Sequence, residues 1–170
     1  EDLFIAAYSY DLTFRWKKAL ACKDGWVAPH NLKIGSDESI YMAIRYEHRC
    51  VLSDTIDLQE EGLYDVVVVR LNGLGQPVDY LTLTNSKTQL VGSLALAPDN
   101  SVYISGFFNN SLVLNGSKIP EETIEVAAPE NACFLGRFED DLEKIWLEPL
   151  QGCAAPSASG FVAKSRHASI

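Results

Sequence analysis

Asp65-Val66-Val67-Val68-Val69-Arg70-Leu71 runs into Asn72-Gly73-Leu74-Gly75 and then into a second apolar stretch carrying Tyr80. An unbroken run of valines closed by a glycine turn reads as a strand buried on both faces, in the middle of a sheet packed between two others. Asn-Gly between apolar runs marks the hairpin that returns the chain along it. The pattern recurs. Residues 2–8 lead to Trp16 and residues 132–138 lead to Trp146 in the same manner, so the three partner strands each end near an aromatic.

Phe4, Val67 and Phe134 align, and they follow one another at nearly equal intervals along the chain. A second register passes through Leu32, Leu94 and Phe161, each trailing its counterpart in the first by almost the same distance in sequence. Residues 31–41 and 93–103 share a template of apolar alternation, an acidic turn and a tyrosine, and residues 160–170 fit it with one extra residue. A third register matches Thr55-Ile56-Asp57-Leu58 to Thr123-Ile124-Glu125-Val126. Three registers in one order define an internal repeat. Each unit supplies four strands: one ending at a Pro-Asp-Asn-Ser or equivalent turn, a second over residues 40–46 or 102–108, the valine-type third, and a fourth over residues 78–83 or its equivalent. The acidic stretch at residues 139–144 falls at the connection between third and fourth strands.

Four-stranded antiparallel units with periodic glycine and aromatic positions predict an all-β chain of the β-propeller type, with about two and a half repeats present. The competing β-sandwich would show turns at similar spacing without so long a fixed period. The expected divisions are the second half of a repeat over residues 1–22, a complete repeat over 31–84, the next over 91–150 and the start of another over 159–170, all parts of one propeller. A ring of four or more blades needs further blades from the same or other chains.

Composition sets outer limits. Of the 170 residues, 47% are hydrophobic and 22% charged, a globular balance, and the formal charge of −9 disfavours a nucleic-acid partner. No apolar run reaches the length of a membrane-spanning helix. The absence of an initial Met fits a processed secreted protein and equally a fragment.

The series carried by residues 2–8 with Trp16, residues 94–108, and residues 132–138 with Trp146 resembles the bacterial β-propeller repeat family often described as seven-bladed. It is similar above all to the forms in large secreted and cell-surface proteins of the Bacteroidota. The resemblance covers nearly the whole chain, and its motifs are structural. It departs from the family pattern at Val69 and Gly136 and at Asp140-Asp141. It implies a propeller module outside the cell and names no ligand.

Strand alternation places the turns after first and third strands on one face and the long connections, over residues 22–30, 47–63 and 109–130, on the other. Long loops on rigid scaffolds carry recognition, which makes Trp26, His48, Asp54, Asn109 and Glu121 the candidate binding residues. Packing of Trp26 between blades is the alternative. Cys22 and Cys50 occur together in one unit, and both are absent from the equivalent positions near Asn85 and Leu112 in the next, as a disulfide between them would require. Two reduced thiols are the other possibility. Cys153 returns at the Cys22-like position and would then pair beyond Ile170, while Cys133, inside a strand, reads as an inert free thiol. Asn109 and Asn115 head formal N-glycosylation tripeptides.

Catalytic signals are thin. His30, His48 and His167 are scattered, and no Cys/His or Asp-x-Asp spacing marks a metal site. The acidic pairs Glu60/Glu61, Glu121/Glu122 and Asp140/Asp141 read as solvated charge. No cofactor is expected. The first expectation is therefore a non-enzymatic propeller module of a secreted or cell-surface protein, a scaffold or adhesion platform for a protein or glycan partner. Two alternatives stand beside it. One is a carbohydrate-processing propeller with its site in a channel lined by Lys33, Ser36, Ala95 and Ala97; the other is a subunit of a surface filament.

Overall fold

Valine-rich and alternating segments bounded by Asp, Asn and Gly turns produce strands as the regular elements of the described residues. The computed structural model describes residues 3–23, 25–59, 64–84, 89–125 and 132–151, and the expected strand over residues 160–170 lies outside them. In order the strands are β1 (Leu3–Tyr8), β2 (Phe14–Lys23), β3 (Val27–Ile34), β4 (Ile40–Tyr46), β5 (Arg49–Ser53), β6 (Ile56–Gln59) and β7 (Asp65–Leu71). They continue with β8 (Pro77–Thr84), β9 (Gln89–Leu96), β10 (Val102–Phe108), β11 (Ser111–Gly116), β12 (Glu122–Glu125), β13 (Ala132–Phe138) and β14 (Lys144–Gln151).

The strands form three antiparallel sheets, in the orders β1-β2-β5-β6, β12-β11-β8-β7-β4-β3 and β14-β13-β10-β9. The six-stranded sheet is the middle layer. Val67, Val69 and Leu71 point from β7 into a core shared with Leu20, Cys50, Leu52, Ile56 and Leu58 of the first sheet. Val66 and Val68 point the other way, into a core shared with Phe108, Phe134 and Phe138 of the third. The valine run is thus buried on both faces because each face meets a different sheet.

The repeat is visible in geometry. The β1/β2, β7/β8 and β13/β14 hairpins each shift register at one place, between Ala7/Tyr8, Arg70/Leu71 and Arg137/Phe138. Counting from those bulges corrects one part of the sequence alignment. Trp16 pairs with Ala7 and Trp146 with Arg137, and the residue paired with Arg70 is Asp79. Tyr80 is one place further on and faces the opposite side of its sheet.

Five hairpin turns share one design, a type I turn closed by a residue in the left-handed region. In each, an amide hydrogen-bonds to the carbonyl four residues on, as in Gly35 to Ser39 and Ala97 to Ser101. The left-handed residues are Leu12, Glu38, Gly75, Asn100 and Leu142. In four of the five an aspartate precedes that residue, and its carboxylate accepts from the amide two residues on: Asp11 from Thr13, Asp37 from Ser39, Asp99 from Ser101 and Asp141 from Glu143. Asn72 does the same work in the fifth turn, accepting from Leu74 and Gln76 at 3.0 Å each.

Two of the connections expected to be long loops are strands. Residues 47–63 hold the β5/β6 hairpin and residues 109–130 hold β11/β12. Each hairpin leaves its own unit and pairs with the fourth strand of the preceding one, β5 with β2 and β11 with β8. The expected loop over residues 22–30 is short, because β2 runs to Lys23 and β3 starts at Val27.

Candidate functional site

Adjacent sheets are locked at their turn ends through one repeated acceptor position, reached by a different donor each time. The Trp16 indole N–H donates to the Gly73 carbonyl at 2.9 Å, and the Tyr41 hydroxyl donates to the Asp140 carbonyl at 2.8 Å. Gly73 and Asp140 occupy the same place in successive turns. Around Tyr41, the Arg70 guanidinium reaches Asp79 at 3.2 Å, Asp37 at 3.5 Å and Asp140 of the next sheet at 4.0 Å, with Ser39 Oγ also within reach. Arg137, the copy of Arg70, meets Asp99 at 3.2 Å and Ser101 at 3.0 Å. The Ser39 hydroxyl, donating to Asp37 at 2.7 Å, is the main cause holding that carboxyl below the usual carboxylate range, and Ser101 does the same for Asp99. Burial pushes the Tyr41 phenol up to about 12 against the opposing pull of Arg70. Of these pairs, Arg70 with Asp140 crosses between sheets, and the others brace the turn ends of single sheets.

A cavity of about 220 Å³ opens where the β6 edge of the first sheet meets the middle sheet and its β11/β12 extension. Its walls carry the rings of Tyr46 and Tyr80, the hydroxyls of Thr82 and Thr84, the amides of Gln59 and Asn115, and the carboxylates of Asp57 and Glu121. The strand period explains the set: Tyr80, Thr82 and Thr84 alternate along one face of β8. Thr82 donates to the Asn115 carbonyl at 3.0 Å, which fixes its rotamer. Asp57 forms a two-pronged pair with the exposed Arg49. A second cavity, of about 310 Å³, lies between the Gly35–Ser36 and Ala97–Asn100 turns. There the Asn100 side-chain oxygen accepts from Ser36 N and Oγ at 3.2 and 3.1 Å.

The candidates from sequence divide between places. Glu121 lines the polar cavity, and Asp54 sits exposed in the β5/β6 turn. Trp26, just ahead of β3, meets Tyr64 edge-on at 6.1 Å and lies under the Arg45 guanidinium, which also covers Tyr64 at 3.6 Å. Its backbone exchanges bonds with Glu47. His48 and Asn109 occupy the equivalent turns after β4 and β10, His48 with φ 61°. Sequence reading gave no cavity role to Tyr46, Gln59, Tyr80, Thr82, Thr84 or Asn115, although Thr82/Thr84 alternation on a fourth strand was a usable signal.

Cys50 stands directly opposite Cys22 in the β2/β5 ladder. Cys50 and Cys133 are each disulfide-bonded, so the expectation of a free thiol at Cys133 is corrected. No free cysteine occurs among the described residues, and Cys153 lies outside them. No group of His, Cys, Asp and Glu suited to a metal ion is found among the described residues, and no described helix could span a membrane. Comparison with protein-family models and with curated proteins finds no match for the chain.

Proposed function

We propose that the chain is part of a non-enzymatic β-propeller module of a secreted or cell-surface protein, presenting a glycan-binding groove on a scaffold of stacked repeat sheets. One observation carries the array reading: successive sheets are joined twice at the same acceptor position of the turn, Gly73 taking the Trp16 indole and Asp140 the Tyr41 hydroxyl. An acceptor position that repeats with the sequence suits a scaffold extended by further units. Bonded cysteines support an oxidising compartment.

The polar cavity supports the choice of a glycan as ligand. A sugar offers hydroxyls that both donate and accept, and the walls supply hydroxyl, amide and carboxylate partners beside two tyrosine rings. Binding to an immobilised glycan library tests the proposal, with Tyr80→Ala as the variant. The expected result is saturable binding of a neutral oligosaccharide, weakened at least tenfold by the substitution. No binding across the library removes the glycan reading. Release of new reducing ends from a bound glycan would assign the cavity to carbohydrate processing, with Asp57 and Glu121 as its two carboxylates.

A further inference from the structure

Arg49, Arg70 and Arg137 each pair with an aspartate, whereas Arg45 is held by rings. Its guanidinium lies over Tyr64 at 3.6 Å from the ring centroid and over Trp26 at 5.5 Å. Its Nε is buried with no hydrogen-bond partner among the described residues. A buried donor left unmet works against the folded state, so the residue needs another reason to be there. The repeat does not supply one. The copy of Arg45 in β10 is Phe107, an apolar side chain at 7% exposure.

Three strands bring the group together. Arg45 pairs with Val66 in the β4/β7 ladder, so it projects from the face of the middle sheet opposite Tyr46 and the polar cavity. Trp26 stands just ahead of β3 and Tyr64 just ahead of β7, with their rings edge-on at 6.1 Å. The β3/β4 ladder shifts register between Pro29 and Asn31, which makes His30 the extra residue of a bulge. Loss of water around His30, and then the Arg45 charge, push its imidazole below the ordinary value and keep it neutral at pH 7. The Glu47 carboxylate is turned to the Trp26 amide at 3.2 Å, and the Trp26 side chain stays 38% exposed. A guanidinium stacked on rings offers N–H groups in its own plane, and their fork fits a planar carboxylate. We infer that Arg45, Trp26 and Tyr64 form a site for an acidic sugar, a uronate whose carboxylate pairs with Arg45 and whose ring packs on Trp26. A peptide's terminal carboxylate would bring the charge without a pyranose face for the indole. The inference takes its ligand class from the glycan reading above and uses none of the cavity residues, so either can fail alone.

Titration calorimetry of the whole chain tests this with a glucuronate-terminated disaccharide, its glucose-terminated counterpart and an acetylated dipeptide acid. The acidic disaccharide should bind at least tenfold more tightly than either of the others. Arg45→Lys keeps the charge and loses the fork, and it should remove most of that preference; Arg45→Gln should remove all of it. Trp26→Ala should weaken the acidic disaccharide several-fold, while Tyr80→Ala, in the polar cavity, should leave its binding unchanged. Should the Arg45 variants fail to fold, the intact chain still answers by nuclear magnetic resonance. Its Arg45 Nε–H and Trp26 indole signals should shift with the acidic disaccharide and hold still with the neutral one. Equal binding of the two disaccharides, a dipeptide bound as tightly as the uronate, a preference that survives Arg45→Gln, or one lost with Tyr80→Ala overturns the inference. So do signals of Arg45 and Trp26 that fail to move.

Discussion

Gly75 shows how much one side chain in a turn decides. Its φ of 74° costs glycine nothing, and its Cα lies against the Trp16 ring. Gly75→Ala is expected to lower stability by more than ~1 kcal/mol from the left-handed backbone alone, with ring overlap added, and the drop in thermal midpoint should be relieved by Trp16→Ala. Nothing in the sequence distinguished Gly75 from an ordinary hairpin glycine, because the ring that requires it lies in the preceding unit, far back along the chain. Tyr41 gives the pH prediction at this scale. Its phenol is held protonated in the folded state to about 12, against about 10 when unfolded. Below pH 10 both states carry the proton and stability is unaffected by it. Between 10 and 12 the unfolded chain loses the proton first, so stability falls as pH rises. A titration of tyrosine absorbance should show one group ionising near 12, and Tyr41→Phe should remove that late step.

At the scale of elements, strands two and three were legible and the β5/β6 and β11/β12 hairpins were not. Residues 40–46 and 102–108 alternate or run apolar long enough to declare themselves, and they match β4 and β10 residue for residue. The hairpin strands are four to six residues long and rich in Ser, Asn, Asp and Glu, so they read as polar loop. Their alternation, Leu112/Leu114 and Ile56/Leu58, and the repeat register shared by Ile56 and Ile124 carried the information. What sequence could not supply was the partner, since each hairpin pairs with a strand of the preceding unit. That pairing needs close backbone approach at Gly116, where a Cβ would lie 2.4 Å from the Tyr80 carbonyl oxygen. Gly116→Val should therefore pull β11 off β8 and leave the rest of the middle sheet in place. Hydrogen exchange should accelerate at the β8 amides that face β11, with β4 and β7 amides keeping their protection.

Over the whole molecule, the long internal period predicted four-stranded antiparallel propeller blades; the described residues form three antiparallel sheets, the middle one of six strands, and the propeller arrangement belongs to the proposal. The cysteines bear on how the stack holds. Because β5 belongs to the second unit and β2 to the first, a bond between the opposed Cys22 and Cys50 would staple one unit to the next. Directly opposed antiparallel residues bring their Cα atoms to about 4.5–5.5 Å, within the span a disulfide bridges. Closing the intervening loop stabilises the chain by ~3.5 kcal/mol in the chain-entropy model. Cys153 lies outside the described residues; a bond from Cys133 to it, in place of the partner expected beyond Ile170, would use all four cysteines of the sequence. Peptide mapping without reductant should return two linked pairs, Cys22 with Cys50 and Cys133 with Cys153. The paired substitution of Cys22 and Cys50 by Ser should lower the thermal midpoint by several degrees, and more than the same change at Cys133 and Cys153, since only the first pair joins two sheet-forming units. Free alkylation of Cys50 would remove the staple, and with it the argument from thiol chemistry for an extracellular scaffold.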